Sequence, residues 1–210
     1  MPDRPSSTPD FWDARYRAQA APFGTQPAAI VRQQAHRIAP GSAVVGLGAG
    51  DARSLVALAH AKECTCTAVD FSRAALDRAA AAAAAADTAL ETIHADLRTW
   101  SPPRRWDVAL ATFVQLLPHE RPALYAALRN SVRPGGWMLG AWFRPAHLEG
   151  SFDRVGPTRP DRMVPPAELR AAFAADRVVQ CEPIDGPLDE GGFLAGRAAT
   201  VHLAVQRSGD

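Results

Sequence analysis

AVVGLGAGDARSLVALAHAKECTCTAVD, residues 43–70, reads as a strand, a glycine turn, a helix and a second strand that ends on an acid. The run Ala43-Val44-Val45 leads into Gly46-Leu47-Gly48-Ala49-Gly50, after which Leu55, Val56, Leu58 and Ala59 recur at helical spacing. A second apolar run closes on Asp70. This order is the nucleotide-binding half-unit of an open α/β sheet, where ligands sit outside the carboxyl ends of the strands. Glycines at such a turn adopt positive φ and let the backbone approach a ligand.

The glycine spacing narrows the ligand. Counted from Gly46 the sixth residue is Asp51, and counted from Gly48 it is Arg53, so the pyrophosphate pattern G-x-G-x-x-G fails. No Gly-Lys-Ser/Thr follows, so the Walker loop fails as well. What remains is G-x-G with an acid about 20 residues on, placed to accept from two ribose hydroxyls. A nucleoside fits this better than a pyrophosphate.

Outward from that unit, the alternation continues. Ser72 caps a helix that carries eight consecutive alanines, Ala79 to Ala86, a run of high helix propensity. Strands follow at 89–96 and 106–113, a helix at 119–132 stopped by Pro134-Gly135-Gly136, and a strand at 137–143. Helical crossovers imply a parallel sheet covered on both faces. Residues 144–164 are irregular, and a helix at 165–175 precedes two strands, 177–184 and 199–206. No helix separates these last two, so they pair antiparallel, with the glycine- and acid-rich stretch 185–197 between them. Residues 1–10 read as a disordered tail and 11–207 as one domain. Within it, 11–40 form a helical lid (helices from Phe11 to before Pro22, and at 28–38) and 41–143 the cofactor-binding core. Then come a substrate-side loop, 144–164, and a closing helix and hairpin, 165–207.

Composition sets bounds. With 47% apolar and 21% charged residues in 210, and a net charge of +1, no strong field points to a nucleic acid or a membrane. Cys64, Cys66 and Cys181 show no zinc spacing and no disulfide framework, and the N-terminus lacks an apolar signal core. The expectation is a soluble cytoplasmic domain without metal, a monomer or weak dimer.

Four motifs stand in order: Val45-Gly46-Leu47-Gly48-Ala49-Gly50, Ala68-Val69-Asp70-Phe71-Ser72, His94-Ala95-Asp96-Leu97 and Val132-Arg133-Pro134-Gly135-Gly136. Together they resemble the class I S-adenosylmethionine-dependent methyltransferases over most of the chain. Phe11-Trp12-Asp13-x-Arg15-Tyr16, Phe23-Gly24-Thr25-Gln26-Pro27 and Leu188-Asp189-Glu190-Gly191 are similar to stretches of the small bacterial tellurite-resistance and thiopurine methyltransferase-like branch. The resemblance implies a Rossmann-like, doubly wound αβα fold with seven strands in the order 3-2-1-4-5-7-6, the last antiparallel. It also implies S-adenosylmethionine as cofactor and S-adenosylhomocysteine as product. Gly48 and Gly50 would line the methionine moiety and Asp70 the ribose, with Gly46 also among the cofactor-binding residues. Phe71, Asp96 and Leu97 would surround the adenine, while Phe23, Gly24 and Thr25 would close over the methionine end. Thr112 and Phe113 would face the methyl group.

Two positions depart from the pattern. Relatives carry an acid where Gly46 stands and a further glycine where Ala52 stands, and Asp51 is the nearest substitute for the missing carboxylate. On the acceptor side Trp12, Tyr16, Gln115 and Arg144 are the candidate substrate residues. His119 and Glu120 are the candidate bases for a hydroxyl or amine acceptor. The stretch 112–118 lacks the Asn/Asp-Pro-Pro-aromatic grip on nucleobase amines, which argues against DNA methylation, and with no separate substrate domain the expected partner is a small molecule. A catalytically silent nucleoside-binding domain is the alternative reading.

Overall fold

The computed structural model describes residues 7–19 and 21–209, so the tail expected at 1–6 lies outside the described residues. Before the sheet come α1 (Pro9–Ala18) and α2 (Ala29–Gln33). The nucleotide-binding unit is β1 (Ala43–Leu47), α3 (Arg53–Lys62) and β2 (Thr65–Asp70), followed by α4 (Arg73–Ala85) and β3 (Leu90–His94). The second half runs β4 (Trp106–Thr112), α5 (Arg121–Asn130), β5 (Val132–Phe143), α6 (Pro166–Ala172), β6 (Arg177–Asp189) and β7 (Ala195–Gln206).

The seven strands form one sheet in the order β3-β2-β1-β4-β5-β7-β6, with β7 antiparallel to both its neighbours and the other pairs parallel. This is the predicted Rossmann-like arrangement. Strand residues alternate between two buried faces, as a sheet covered on both sides requires. Val45, Ala109 and Met138 join Leu124, Leu128, Leu169 and Phe173 on the α5–α6 face. Val44, Val108 and Leu139 meet Ile30, Leu55 and Leu76 on the other. In the alanine run, Ala79 and Ala83 are buried at a spacing of one turn, continuing the row begun by Ala75. The small side chains of Ala74 and Ala75 let α1 approach closely, and Tyr16 packs directly upon them.

The structure differs from the sequence reading at several ends. Helix α1 starts at Pro9, because proline fits the first helical turn where its missing N–H costs nothing, so residues 7–10 are not a free tail. The helix expected at 28–38 breaks after Gln33 and continues as a 3₁₀ turn, Ala35–Arg37. Val132 opens β5 rather than closing a helix, and the Pro-Gly-Gly sequence is a bulge inside that strand. A Cβ at Gly136 would stand 2.5 Å from the Asp107 carbonyl, so only glycine fits. The closing hairpin runs far beyond the predicted strands, leaving only residues 190–194 as its turn. Pro183 and Pro187 are tolerated because β6 is an edge strand and needs no donor on its outer side.

Candidate active site

The site begins where β1 ends. Gly48 (φ 64°) and Gly50 (φ 58°) turn the chain through left-handed conformations, and Ala52 (φ 55°) follows them into the same region before α3 starts. The Gly48 and Ala49 amides donate to the Val69 carbonyl, at 2.9 and 3.1 Å, which ties the loop to the end of β2. Asp70 completes the tie. Its Oδ2 accepts from the Gly50 amide and its Oδ1 from the Ser72 amide, each at 2.8 Å. A carboxylate has about four lone-pair sites, so acceptor capacity remains toward the cavity it borders. Burial raises the Asp70 pKa against these N–H donors, which act to lower it.

Helix α1 forms the roof. Asp13 Oδ1 accepts from Ser72 Oγ at 2.6 Å and from the Ala74 amide at 3.1 Å, docking α1 onto the start of α4. Burial pushes the Asp13 carboxyl up, but those two donors and Arg17 hold it below its ordinary value. One turn on, the Tyr16 hydroxyl lies so close over Gly50 that any Cβ there would collide with it. Burial, with the charges of Asp70 and Asp51 behind it, pushes the phenol pKa far up, so Tyr16 stays protonated. Its ring meets Phe23 at 5.9 Å, and Phe23 in turn meets Trp12 and Phe193, both at 6.3 Å.

A buried clasp fixes the roof to the glycine loop. Glu190, 1% exposed, accepts from the Ala29 amide at 2.8 Å and from Arg53 Nη2 at 2.5 Å. Arg53 Nη1 also donates to the carbonyls of Gln26 and Glu190, both at 2.8 Å. Gly24 and Gly191 face each other here, a Cβ on Gly24 lying 3.0 Å from the Gly191 Cα.

The far wall comes from the end of β4 and from 154–159. Phe113 has a left-handed φ of 58°, a strained state for a bulky residue and one that clusters at functional sites. Its amide donates to the Ala141 carbonyl at 2.7 Å, and its ring packs on Phe143 with centroids 5.6 Å apart. Together these walls enclose a cavity of about 460 Å³, within the usual range for a small-molecule site.

Of the predicted residues, the structure brings Phe23, Gly48, Gly50, Asp70, Phe71, Thr112 and Phe113 to the cavity, with Trp12, Tyr16, Gln115 and Glu120. The others lie elsewhere. Asp96 is engaged by its own neighbour, accepting from the Arg98 amide and guanidinium at 2.9 Å, and this pairing lowers its pKa. Leu97 is a core residue behind Gly48. Gly24 packs against the hairpin turn, and Thr25 is exposed. Gly46 borders a separate pocket of about 30 Å³ with Leu55 and Leu110. Arg144 pairs with Asp185 on the hairpin, away from the cavity, and His119 is exposed outside it. Glu120 spends its carboxylate on the Leu117 amide at 2.7 Å and on Arg98 at 3.4 Å. The sequence reading did not single out Arg15, Arg98 or Phe193 as cavity residues. Arg15 was legible one turn from Phe11 and Trp12, whereas Phe193 arrives only through the long hairpin.

Residues 44–136 match the protein-family model described as "Methyltransferase domain". No curated protein matches the sequence. Among solved structures the chain is similar to TehB from Haemophilus influenzae, with a TM-score of 0.71 and 18% identity, covering 95% of this chain and 66% of that one. It is also similar to the DhpI–SAH complex (TM-score 0.65, 20% identity, covering 98% of each chain). A third is a protein from work on the conversion of a disulfide bond into a thioacetal group during echinomycin biosynthesis. There the TM-score is 0.68 at 20% identity, covering 96% of this chain and 93% of the other. At such identities the likeness is one of fold. The fold is that of the Rossmann-like methyltransferases. Over residues 44–136, a little under half of its length, the chain is similar to a methyltransferase domain. Among the described residues no helix is long and apolar enough to cross a membrane.

Proposed function

We propose that the protein methylates a small acceptor bound in the 460 Å³ cavity beside its cofactor. The observation that carries this reading is the convergence of the Gly48–Gly50 turn, the Asp70 carboxylate and the aromatic roof on a single cavity that continues past Thr112 and Phe113. The glycine turn admits no side chain, since a Cβ at Gly48 would stand 2.7 Å from Val114, and its backbone borders the cavity directly. Asp70 would accept from the ribose hydroxyls, Phe71 would cover the adenine, and Asp51 would face the methionine ammonium. The cofactor supplies a methyl group on a sulfonium, already activated for displacement.

The chain's own part is alignment. Fixing donor and acceptor in line contributes about 7–11 kcal/mol when the bound geometry is near-attack. Tyr16 and Phe23 exclude water from the methionine end. Glu120 is committed to Leu117 and Arg98, and His119 lies outside the cavity, which supports an acceptor atom that needs no protein base. Calorimetry with S-adenosylmethionine and S-adenosylhomocysteine tests the reading. Both are expected to bind the folded protein, and no heat at millimolar ligand would overturn it in favour of a silent domain.

A further inference from the structure

Both signs of charge line the cavity. Asp51 and Asp70 stand with the glycine turn, at the end assigned to a cofactor that carries positive charge. Cations line the same cavity, Arg53 beside Asp51 among them, and most are already satisfied. Arg53 pairs with Glu190, Arg98 with Asp96 and Glu120, and Arg159 with Asp161 at 3.1 Å. Arg162 donates to the Gln115 carbonyl and the Ser7 hydroxyl.

Arg15 and Arg154 are different. Both line the cavity, and neither has an ion-pair or hydrogen-bond partner among the described residues. Arg15 is nevertheless held in place. Its guanidinium carbon lies 4.4 Å from the Phe193 ring centre, 5.4 Å from that of Phe11 and 5.8 Å from that of Trp12. Stacking on ring faces fixes a guanidinium while leaving its edge N–H donors free for a carboxylate fork. Arg154 sits on the exposed segment before Gly156, where its side chain can turn toward the same space.

We propose that the acceptor is a small, flat organic anion whose carboxylate is gripped by Arg15 and Arg154 while its ring lies against the Phe11, Trp12 and Phe193 wall. This rests on the methyltransferase reading and specifies its substrate class. The charge arrangement agrees with it, because an anionic acceptor complements a cationic cofactor in one enclosed space. The carboxylate is the handle, and the methyl-accepting atom is another group on the same molecule, opposite Thr112 and Phe113.

The test uses naphthalene-2-carboxylate and its primary amide, which differ in charge and little in shape. Each is titrated by calorimetry into the full chain saturated with S-adenosylhomocysteine. The carboxylate is expected to bind about ten- to a hundredfold more tightly, the difference of a charge-assisted over a neutral pairing. Arg154→Gln and Arg15→Gln should each remove most of that preference. Arg159→Gln, whose guanidinium is already paired with Asp161, should keep it. Equal binding of the two probes, or no binding of either while S-adenosylhomocysteine still binds, overturns the proposal. So does an equal loss of preference in Arg159→Gln, which would point to a diffuse field rather than a grip. Failure of S-adenosylhomocysteine itself to bind is a separate result. It overturns the methyltransferase reading, and this inference with it.

Discussion

Glu190→Gln strikes the clasp that joins the hairpin turn, the loop before α2 and the start of α3. Gln offers one acceptor oxygen where Glu190 uses two, so either the Ala29 amide or Arg53 loses its partner to an NH₂ group that can only donate. Removing one partner of a buried ion pair costs about 3–5 kcal/mol. Arg53 is only 11% exposed but keeps the carbonyls of Gln26 and Glu190. The lower end, about 3 kcal/mol, is therefore expected. Urea denaturation of Glu190→Gln, Arg53→Gln and the double variant closes a cycle whose coupling energy should be about 2 kcal/mol, typical of groups in direct contact. Because Arg53 is the first residue of α3, S-adenosylhomocysteine should also bind about tenfold more weakly to Glu190→Gln, a loss of about 1.4 kcal/mol. A coupling below about 0.5 kcal/mol, the level of independent sites, would refute the reasoning.

Other perturbations have equally definite outcomes. Asp70→Asn should weaken S-adenosylhomocysteine binding by about 1.5–3 kcal/mol, the worth of hydrogen bonds to a charged group, as read by calorimetry. Burial raises the Asp70 pKa, so its ionisation opposes folding at neutral pH, and cofactor affinity should fall on acidification from a pH above the ordinary carboxylate value of about 4. Gly50→Ala places a methyl where the Tyr16 hydroxyl lies and in a left-handed conformation costing about 1–2 kcal/mol. The expected result is a lowered melting temperature and altered Trp12 fluorescence as α1 lifts. Asp13→Ala removes the acceptor for Ser72 and Ala74 and should cost about 1 kcal/mol, as loss of a helix cap does. Trypsin should then cut faster at Arg15 and Arg17. Since the folded pKa of Asp13 is depressed, its contribution is full above the unfolded value of about 4 and disappears as the pH falls through the folded one.

What was legible in the sequence was local. The glycine turn, the acid at the end of β2 and the Ser72 cap are set by neighbouring residues, and Ser72 Oγ does accept from the Ala75 amide at 3.1 Å. The crossovers show a parallel sheet closed by an antiparallel pair, whereas the order of its seven strands is implied by the resemblance of four motifs to a known family. Asp96 shows how a local competitor is missed. Arg98, two residues on, takes its carboxylate, a pairing visible in the chain only if side chains are followed as closely as motifs. The hairpin was misjudged for another reason. Gly186, Pro183 and Pro187 signal turns in an interior strand, but at a sheet edge they are compatible with pairing out to Asp189. The clasp lay beyond reach of any pattern, since Arg53 and Glu190 stand 137 residues apart.

The two departures inside residues 43–70, Gly46 and Ala52, each have a physical consequence for the loop. A Cβ at Gly46 would lie 2.9 Å from Leu55 Cδ1 and 3.2 Å from the Ala49 Cβ, so Leu55 occupies the space in which a β1 side chain would begin. An acid there would have to displace a leucine that is 1% exposed, and would open onto a pocket with room for little more than one water. Asp51, five residues on, lines the main cavity, where burial raises its pKa against the pull of Arg53. A carboxylate held in that state gains from a cationic neighbour, which is what the ammonium of the cofactor would provide. At Ala52 the chain takes the conformation that suits glycine, at a cost of about 1–2 kcal/mol. Burial of its methyl group, 2% exposed, returns about 0.8 kcal/mol of that. The left-handed turn is therefore kept at Ala52 without a glycine, and the packing of Leu55 beneath β1 is kept by the absence of a side chain at Gly46.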